Sequence, residues 1–470
     1  MSIVFCVDVG STFTKAALVD VDAGVALATA SHPTTLDTDV LDGVAAVRSE
    51  VEHRAGRRAA EVLACSSAGG GLRLAVVGHE LPVSAEAGRR VGLSAGARVV
   101  HVHAGPMDTD GVTALRAARP DIVLLVGGTD GGNAEVLLHN ARRLGISRVP
   151  VPVVLAGNAE AADAAGEELR RRRRAVIVTP NVLPRIGELD PLPARAAIRE
   201  VFVRHVIGGK HLSRGPRFAR MVRSATPDAV LAGVEALADG HPASGVAGAG
   251  DVLVVDVGGA TTDVYSVLRS SHRDQDRDQD RDQDRSQDEP DGESSGEVAG
   301  TLWRARTVEA DLGIRWGAPG VVQAALGEHL LGEEEAQALA GYARRVAAEP
   351  GFLPDTPDDD ALLARLALTV AVRRHGRPAT PSAGPRPLRG VRTVVGSGGV
   401  LRHNGAEVRA AVLHPAVSDH GGGWAVPEHA RLAVDEQYLL FAAGLLAGDA
   451  PAAAARLAVA GLRGVVDVPG

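Results

Sequence analysis

The stretch FCVDVGSTFTKAALVDV, residues 5–21, returns later in the chain as VVDVGGATTDVYSVL, residues 254–268. In each copy an apolar run ends in Asp-Val-Gly, small and hydroxyl-bearing residues follow, and a second apolar run begins. Two strands joined by a tight turn fit this order, because Val, Ile and Leu runs build strands and glycine punctuates them. Downstream of each copy a strand-like run ends in a glycine-rich turn: LLVGGTDGGN at residues 124–133 and VVGSGGVLRHN at residues 394–404. Asp8 to Gly127 spans 119 positions; Asp256 to Gly396 spans 140, or 111 once residues 269–297 are set aside. Like order at like spacing predicts an internal duplication.

Neither G-x-x-x-x-G-K-[ST] nor G-x-G-x-x-G follows the first run, so its turn is not a P-loop or a Rossmann turn. The amides of Gly10, Ser11 and Thr12 are expected to converge on an anion, with hydroxyls from Ser11, Thr12 and Thr14 and the Lys15 ammonium beside them. Asp8 would repel a bare phosphate and makes sense only with a cation. Mg²⁺ keeps its waters and takes one or two carboxylates together with phosphate oxygens. The second hairpin offers Asp256, Gly258, Gly259, Ala260, Thr261 and Thr262. The turn of Gly396, Ser397, Gly398 and Gly399 lets backbone approach a flat group such as adenine and its ribose. The expected ligand is a nucleotide with Mg²⁺, the metal held through water by Asp8 and Asp256. Taken singly, each motif is more often a plain turn.

The bounds are those of an ordinary globular chain. Its 470 residues predict two or three domains, and its 45% hydrophobic and 23% charged content is unremarkable. The net charge of −8 argues against nucleic acid or an anionic membrane as partner. Cys6 and Cys65 are the only cysteines, with no spacing for a zinc site or a disulfide framework. No basic leader or run of 18 apolar residues is evident, so a cytoplasmic location is expected. Arginine supplies nearly all the basic charge, leaving lysine at positions 15 and 210 alone.

Strand-like runs at residues 3–7, 16–21, 122–126, 151–155, 176–178, 253–257 and 393–395 alternate with Ala-rich helical ones, an α/β pattern with sheets covered on both faces. The Arg-Asp-Gln-Asp repeat within residues 272–297 has nothing apolar to bury and is expected to be a disordered surface insertion. The division that follows is a first lobe at 1–250 carrying extra structure, a second at 251–446, and a C-terminal tail at 447–470.

The order of these motifs resembles the superfamily of actin, sugar kinases and heat-shock chaperone ATPases. That resemblance implies two ribonuclease-H-like lobes around a nucleotide cleft. It also places Asp8 and Asp256 at acidic, Mg-linked positions, Asp256 with a part in orienting the attacking water. Longer stretches narrow it: ACSSAGGGLRLAVVGHE (64–80), DIVLLVGGTDGGN (121–133), PVVLAGNAEA (152–161), TPNVLPRIGELD (179–190), RTVEADLGIRW (306–316) and VGSGGVLRH (395–403). Over residues 3–446 the chain resembles the glutamate mutase accessory proteins of the GlmL/MutL type, which are unrelated to the mismatch-repair protein of that name. The resemblance implies an ATP-dependent partner of an adenosylcobalamin mutase such as methylaspartate mutase, protecting or reactivating it, with slow Mg-dependent ATP hydrolysis.

Three other readings stay open: a small-molecule kinase on the same scaffold, an activator of radical dehydratases sharing an iron–sulfur cluster, and a filament former. His101 and His103 would share one strand face and could bind metal, but lack a third ligand. Asn133, Asn158, Glu160, Glu309 and Asp311 flank the glycine-rich or strand-end motifs and are candidates to line the cleft.

Overall fold

The computed structural model describes residues 2–68, 72–95, 97–206, 212–268, 304–309, 311–377, 386–421 and 423–464. The Arg-Asp-Gln-Asp repeat and Lys210 lie outside the described residues. The chain opens with an antiparallel meander of β1 (Ile3–Val9), β2 (Phe13–Asp20) and β3 (Val25–Pro33). The helix Val40–Ala55 returns the chain to β4 (Glu61–Ser66), parallel to β1. Asp39 caps that helix by accepting the Leu41 N–H at 2.9 Å, and Gly56 ends it at φ 61°. All of β1 is buried, as an apolar run must be when both sheet faces are covered. Phe5, Val7 and Val9 pack with Val44, Val47 and Val51 of the helix, while Val4 and Cys6 face a second core on the other side.

A parallel sheet is inserted next, formed by β5 (Arg73–Gly78), β6 (Arg98–Ala104), β7 (Ile122–Leu125), β8 (Val153–Leu155) and β9 (Val176–Val178). Its order, β6-β5-β7-β8-β9, is the 2-1-3-4-5 arrangement of flavodoxin-type sheets. The first sheet then completes itself with β10 (Val222–Ala225), parallel to β4, in the order β10-β4-β1-β2-β3. The helix Thr226–Asp239 and a short ribbon, β11 (Gly240–His241) with β12 (Val246–Ala247), lead to the second lobe.

There the path repeats. β13 (Val252–Val257), β14 (Thr262–Val267) and β15 (Arg304–Glu309) form a meander; β16 (Thr393–Ser397) lies parallel to β13, and β17 (Arg431–Asp435) parallel to β16. The order β15-β14-β13-β16-β17 matches that of the first sheet strand for strand, so the fold is a duplicated ribonuclease-H-like α/β architecture. In register, Asp8 pairs with Lys15 and Cys65, and Asp256 with Asp263 and Ser397.

The register corrects the expectation built on spacing. The counterpart of the Gly396 turn is the end of β4 at Cys65 and Ser66, whereas the Gly127 turn belongs to the inserted sheet. Buried parallel strands running into glycine look alike in sequence whichever sheet they join. Residues 127–133 follow β7, where Gly127 comes against His79 just past the end of β5, and Gly127, Gly128 and Gly131 are all at positive φ. The buried Asn158 and Asn181 clamp them through Nδ2 bonds to the Gly132 and Gly128 carbonyls, both 2.9 Å.

The lobes meet through two equivalent helices, Thr226–Asp239 and Leu440–Leu446, surrounded by apolar residues from both sheets. A Cβ at Gly233 would lie 2.8 Å from the Leu440 carbonyl carbon, and one at Gly444 2.7 Å from that of Ala229. Each glycine thus admits the other helix's backbone. Residues 447–464 correct another expectation, since they are no tail. The helix Pro451–Ala460 buries Ala453, Ala454, Ala455, Leu457 and Ala458, and β18 (Leu462–Gly464) pairs antiparallel with β17. A helix whose buried face is mostly alanine has too little contrast to read as core.

Candidate functional site

The two hairpins correspond residue by residue, since Val9 pairs with Thr14 and Val257 with Thr262. Each turn closes with the same bond: the Gly10 N–H donates to the Phe13 carbonyl at 3.1 Å, and the Gly258 N–H to the Thr261 carbonyl at 2.9 Å. Those two amides are therefore spent. In the first turn Ser11 and Thr12 remain exposed at the tip; in the second Gly259 is half-buried and Ala260 exposed. Thr14 and Thr262 are fully buried and serve their own lobes. Thr14 Oγ shares a hydrogen bond with Thr34 Oγ at 3.2 Å, and Thr262 Oγ donates to the Leu312 carbonyl at 2.6 Å. The expectation that these hydroxyls and the Gly10 amide point at a ligand is corrected accordingly. The Ser11 hydroxyl donates to the Ser67 carbonyl, and that of Thr261 to Asp263, both 3.2 Å.

Across the strands, these positions form two rows. In the first lobe the row is Lys15, Asp8, Cys65 and Ser224; in the second it is Asp263, Asp256 and Ser397, with Asp435 one residue beyond Val434, the last residue of β17 paired with β16. Register partners share a sheet face, so each row presents its side chains together.

Asp8 is 1% exposed and already partnered. Its Oδ1 accepts from Thr226 Oγ1 at 2.5 Å and from Cys65 Sγ at 3.6 Å, and its Oδ2 from the Tyr438 hydroxyl at 3.3 Å. Burial pushes its carboxyl above the usual range, opposed by Lys15 and those three donors. Tyr438 joins the lobes, its hydroxyl on Asp8, the Lys15 ammonium 3.5 Å from its ring centroid and the Arg402 guanidinium 5.5 Å away. Burial drives its phenol well up, and the charges of Asp8 and Asp256 add to that.

The second row is more open. Asp256 is half-buried and makes no hydrogen bond or ion pair among the described residues. Beside it Ser397 is 3% exposed and its Oγ has no hydrogen-bond partner among the described residues. Asp263 is held by Arg306 at 2.5 Å, although burial still raises its carboxyl. Asp435 accepts the N–H groups of Leu439 and Leu440 at 2.8 and 3.2 Å, and burial raises it to about 6 despite them. Gly398 sits at φ 113°, with the Val257 carbonyl carbon 3.0 Å from where a Cβ would be. Gly396 is a packing position against Leu401 and Leu413, and Gly399 is exposed with open space around it.

The Mg-nucleotide expectation fits this arrangement on one side. The second row offers an unengaged carboxylate, an unpartnered hydroxyl and a side-chain-free turn; Asp8, as placed, is taken. Asp263, Asp435, Tyr438 and Thr226 escaped the sequence reading. A signal existed for Asp435, since LAVDEQY repeats the apolar-run-then-Asp pattern of Asp8 and Asp256.

The remaining candidates lie elsewhere. His101 and His103 are on β6 of the inserted sheet with ring centroids 6.4 Å apart, and their Nε2 atoms have no hydrogen-bond partner among the described residues. Among the described residues no group of three His, Cys, Asp or Glu is placed to hold a metal. Asn158 latches the inserted sheet's glycine turn, Asn133 Oδ1 accepts the Glu135 N–H at 2.8 Å, and Glu160 is exposed beside Gly131. Glu309, whose partner in register is Thr262, and Asp311 both pair with Arg374, at 2.8 and 3.0 Å. No helix among the described residues is long and apolar enough to cross a membrane.

Residues 4–462 match the family model described as MutL protein. Protein MutL of Clostridium tetanomorphum is 33% identical over 473 residues, covering 96% of this chain and 97% of its own. Among solved structures, a xylulose kinase from Lactobacillus acidophilus covers 99% of this chain and 93% of its own at 11% identity and a TM-score of 0.35. A gluconate kinase from the same organism covers 98% and 93% at 10% identity and a TM-score of 0.34. Likeness that slight adds no weight to the fold, which rests on the strand orders.

Proposed function

This chain belongs to the MutL protein family, and from that premise we propose that it is a nucleotide-dependent accessory protein of an adenosylcobalamin-dependent mutase, such as glutamate (methylaspartate) mutase. The observation that carries the nucleotide part is the second row: the free Asp256 carboxylate beside the unpartnered Ser397 hydroxyl, at the end of a hairpin duplicated in the other lobe. Mg²⁺ would be held through water by Asp256. Phosphates would lie between Gly259 and Ala260 on one side and Ser11 and Thr12 on the other. The adenosine would lie at Gly398 and Gly399. The metal would neutralise phosphate charge. Asp8 becomes available to it only when the lobes part and Tyr438 leaves its carboxylate.

That bond makes nucleotide state a switch. Tyr438 belongs to the second lobe and Asp8 to the first, so a ligand competing for Asp8 alters how the lobes meet. A switch moves its partner only by its difference in affinity for the two states. The helices that cross at Gly233 and Gly444 provide a close-packed pivot for such a movement. An iron–sulfur activator finds less support, because Cys6 and Cys65 are buried and burial pushes both thiols up. No observation favours a kinase.

The test is reactivation of the cognate mutase after cobalamin damage. Activity should return only with this protein, ATP, Mg²⁺ and fresh coenzyme, and Asp256→Asn should bind nucleotide without restoring turnover. Equal recovery with ATP, with a non-hydrolysable analogue and with the variant would refute the switch.

A further inference from the structure

A pocket of about 190 Å³ lies between the lobes on the flank of β2 and β3. Its wall includes Lys15, Thr29 and Ser31 from the first lobe and Arg402, Gln437 and Tyr438 from the second. Neither the hairpin tips nor Asp256 nor the Gly398 turn lines it. Pockets for drug-sized ligands begin at roughly 300 Å³, so this one is too small for a nucleotide. At about 30 Å³ per liquid water it has room for about six waters.

The charges there are unbalanced. Glu50 and Arg54 also line the pocket but neutralise each other at 2.6 Å, and Arg54 donates to the Thr29 carbonyl at 3.0 Å. Lys15 and Arg402 make no ion pair among the described residues. Both lie against the ring of Tyr438, and the Arg402 Nε donates only to the Glu436 carbonyl, at 3.1 Å. Asp8, whose charge Lys15 feels, has already spent its oxygens on Thr226, Cys65 and Tyr438. Asp435, which feels the Arg402 charge, is spent on the Leu439 and Leu440 N–H groups, so two like charges from different lobes converge on one ring with no ion pair to either among the described residues. Thr29 and Ser31, two apart on the edge strand, put their hydroxyls on one face. Position 15 also keeps one of the chain's two lysines, a compact charge where arginine serves almost everywhere else.

We propose that this pocket binds a small doubly charged anion, phosphate or a short dicarboxylate, bridging Lys15 of one lobe and Arg402 of the other. Such a ligand ties the lobes together from beneath Tyr438. If the nucleotide reading above holds, it therefore biases the same movement that nucleotide does. Binding of the anion does not depend on that reading.

The experiment is calorimetric titration of the full chain at low ionic strength, with inorganic phosphate in one arm and succinate in the other. Saturable binding at one site is expected in at least one arm, and the arm that binds names the anion. Arg402→Gln should weaken it tenfold or more and Thr29→Val severalfold, each with an unchanged circular dichroism spectrum. Mg-ATP, added separately, should still bind Arg402→Gln. No saturable binding in either arm would overturn the proposal, as would equal affinity for wild type and both variants. One-for-one displacement of the anion by Mg-ATP would overturn it too, by making the pocket part of the nucleotide site. Loss of Mg-ATP binding with anion binding intact would count against the nucleotide reading alone.

Discussion

Replacing Asp435 with asparagine removes a charge that the fold buries at a cost, so its effect on stability should depend on pH. Asp435 is 2% exposed, and its carboxyl is raised to about 6. An aspartate in an unfolded chain titrates near about 3.9, and each unit of difference corresponds to about 1.36 kcal/mol. The native state therefore holds this proton more tightly than the unfolded state does. Its contribution is intact below about pH 4, is lost as pH rises through 6, and by pH 7.5 leaves a cost of about 3 kcal/mol. Asparagine never ionises, but it keeps one acceptor where Asp435 offers Oδ1 to the Leu439 N–H and Oδ2 to the Leu440 N–H, so one of those bonds is lost at a cost that does not vary with pH. Urea melts of wild type and Asp435→Asn at pH 4, 5, 6 and 7.5 should show the variant's stability relative to wild type rising by about 2–3 kcal/mol between pH 4 and pH 7.5. A variant that differs from wild type by the same amount at every pH, or that falls further behind as pH rises, would refute the reasoning.

Alanine at Gly233 should cost at least about 1–3 kcal/mol in the same assay, because its methyl meets Leu440 backbone that cannot swing away. Leu457→Ala should cost about 2–5 kcal/mol, the penalty of a cavity at a fully buried leucine, whereas an unpacked tail would lose nothing measurable. Neither Cys6 nor Cys65 should react with a disulfide reagent at pH 8 until the protein unfolds, since both thiols are buried and pushed up; rapid labelling of the native chain would contradict this placement.

The sequence carried the fold where its physics is local and repeated. An apolar run broken by Asp-Val-Gly is a strand entering a turn wherever it stands, so both hairpins and the duplication were legible from residues 5–21 and 254–268. What spacing lacks is register. Only strand pairing distinguishes the end of β4, with Cys65 beside Asp8, from the glycine turn after β7, and pairing is a long-range property. The site divided in the same way. Asp256 and Ser397 announced themselves through motifs, but Asp8's engagement depends on Thr226 and Tyr438, 218 and 430 positions away. Thr14 and Thr262 looked like ligand groups because a hydroxyl's direction follows from the pleat, and one residue along a strand reverses it.

Mg-nucleotide binding at the second row is the claim on which most else rests, and a thermal or urea melt with and without saturating Mg-ATP addresses it directly. Ligand at 100 times its dissociation constant should add about 2.7 kcal/mol to wild type. In Asp256→Asn the part of that gain that requires Mg²⁺ should disappear, while the nucleotide alone still stabilises the fold. A wild-type melt unmoved by Mg-ATP, or a Mg²⁺-dependent gain that survives intact in Asp256→Asn, would contradict the account.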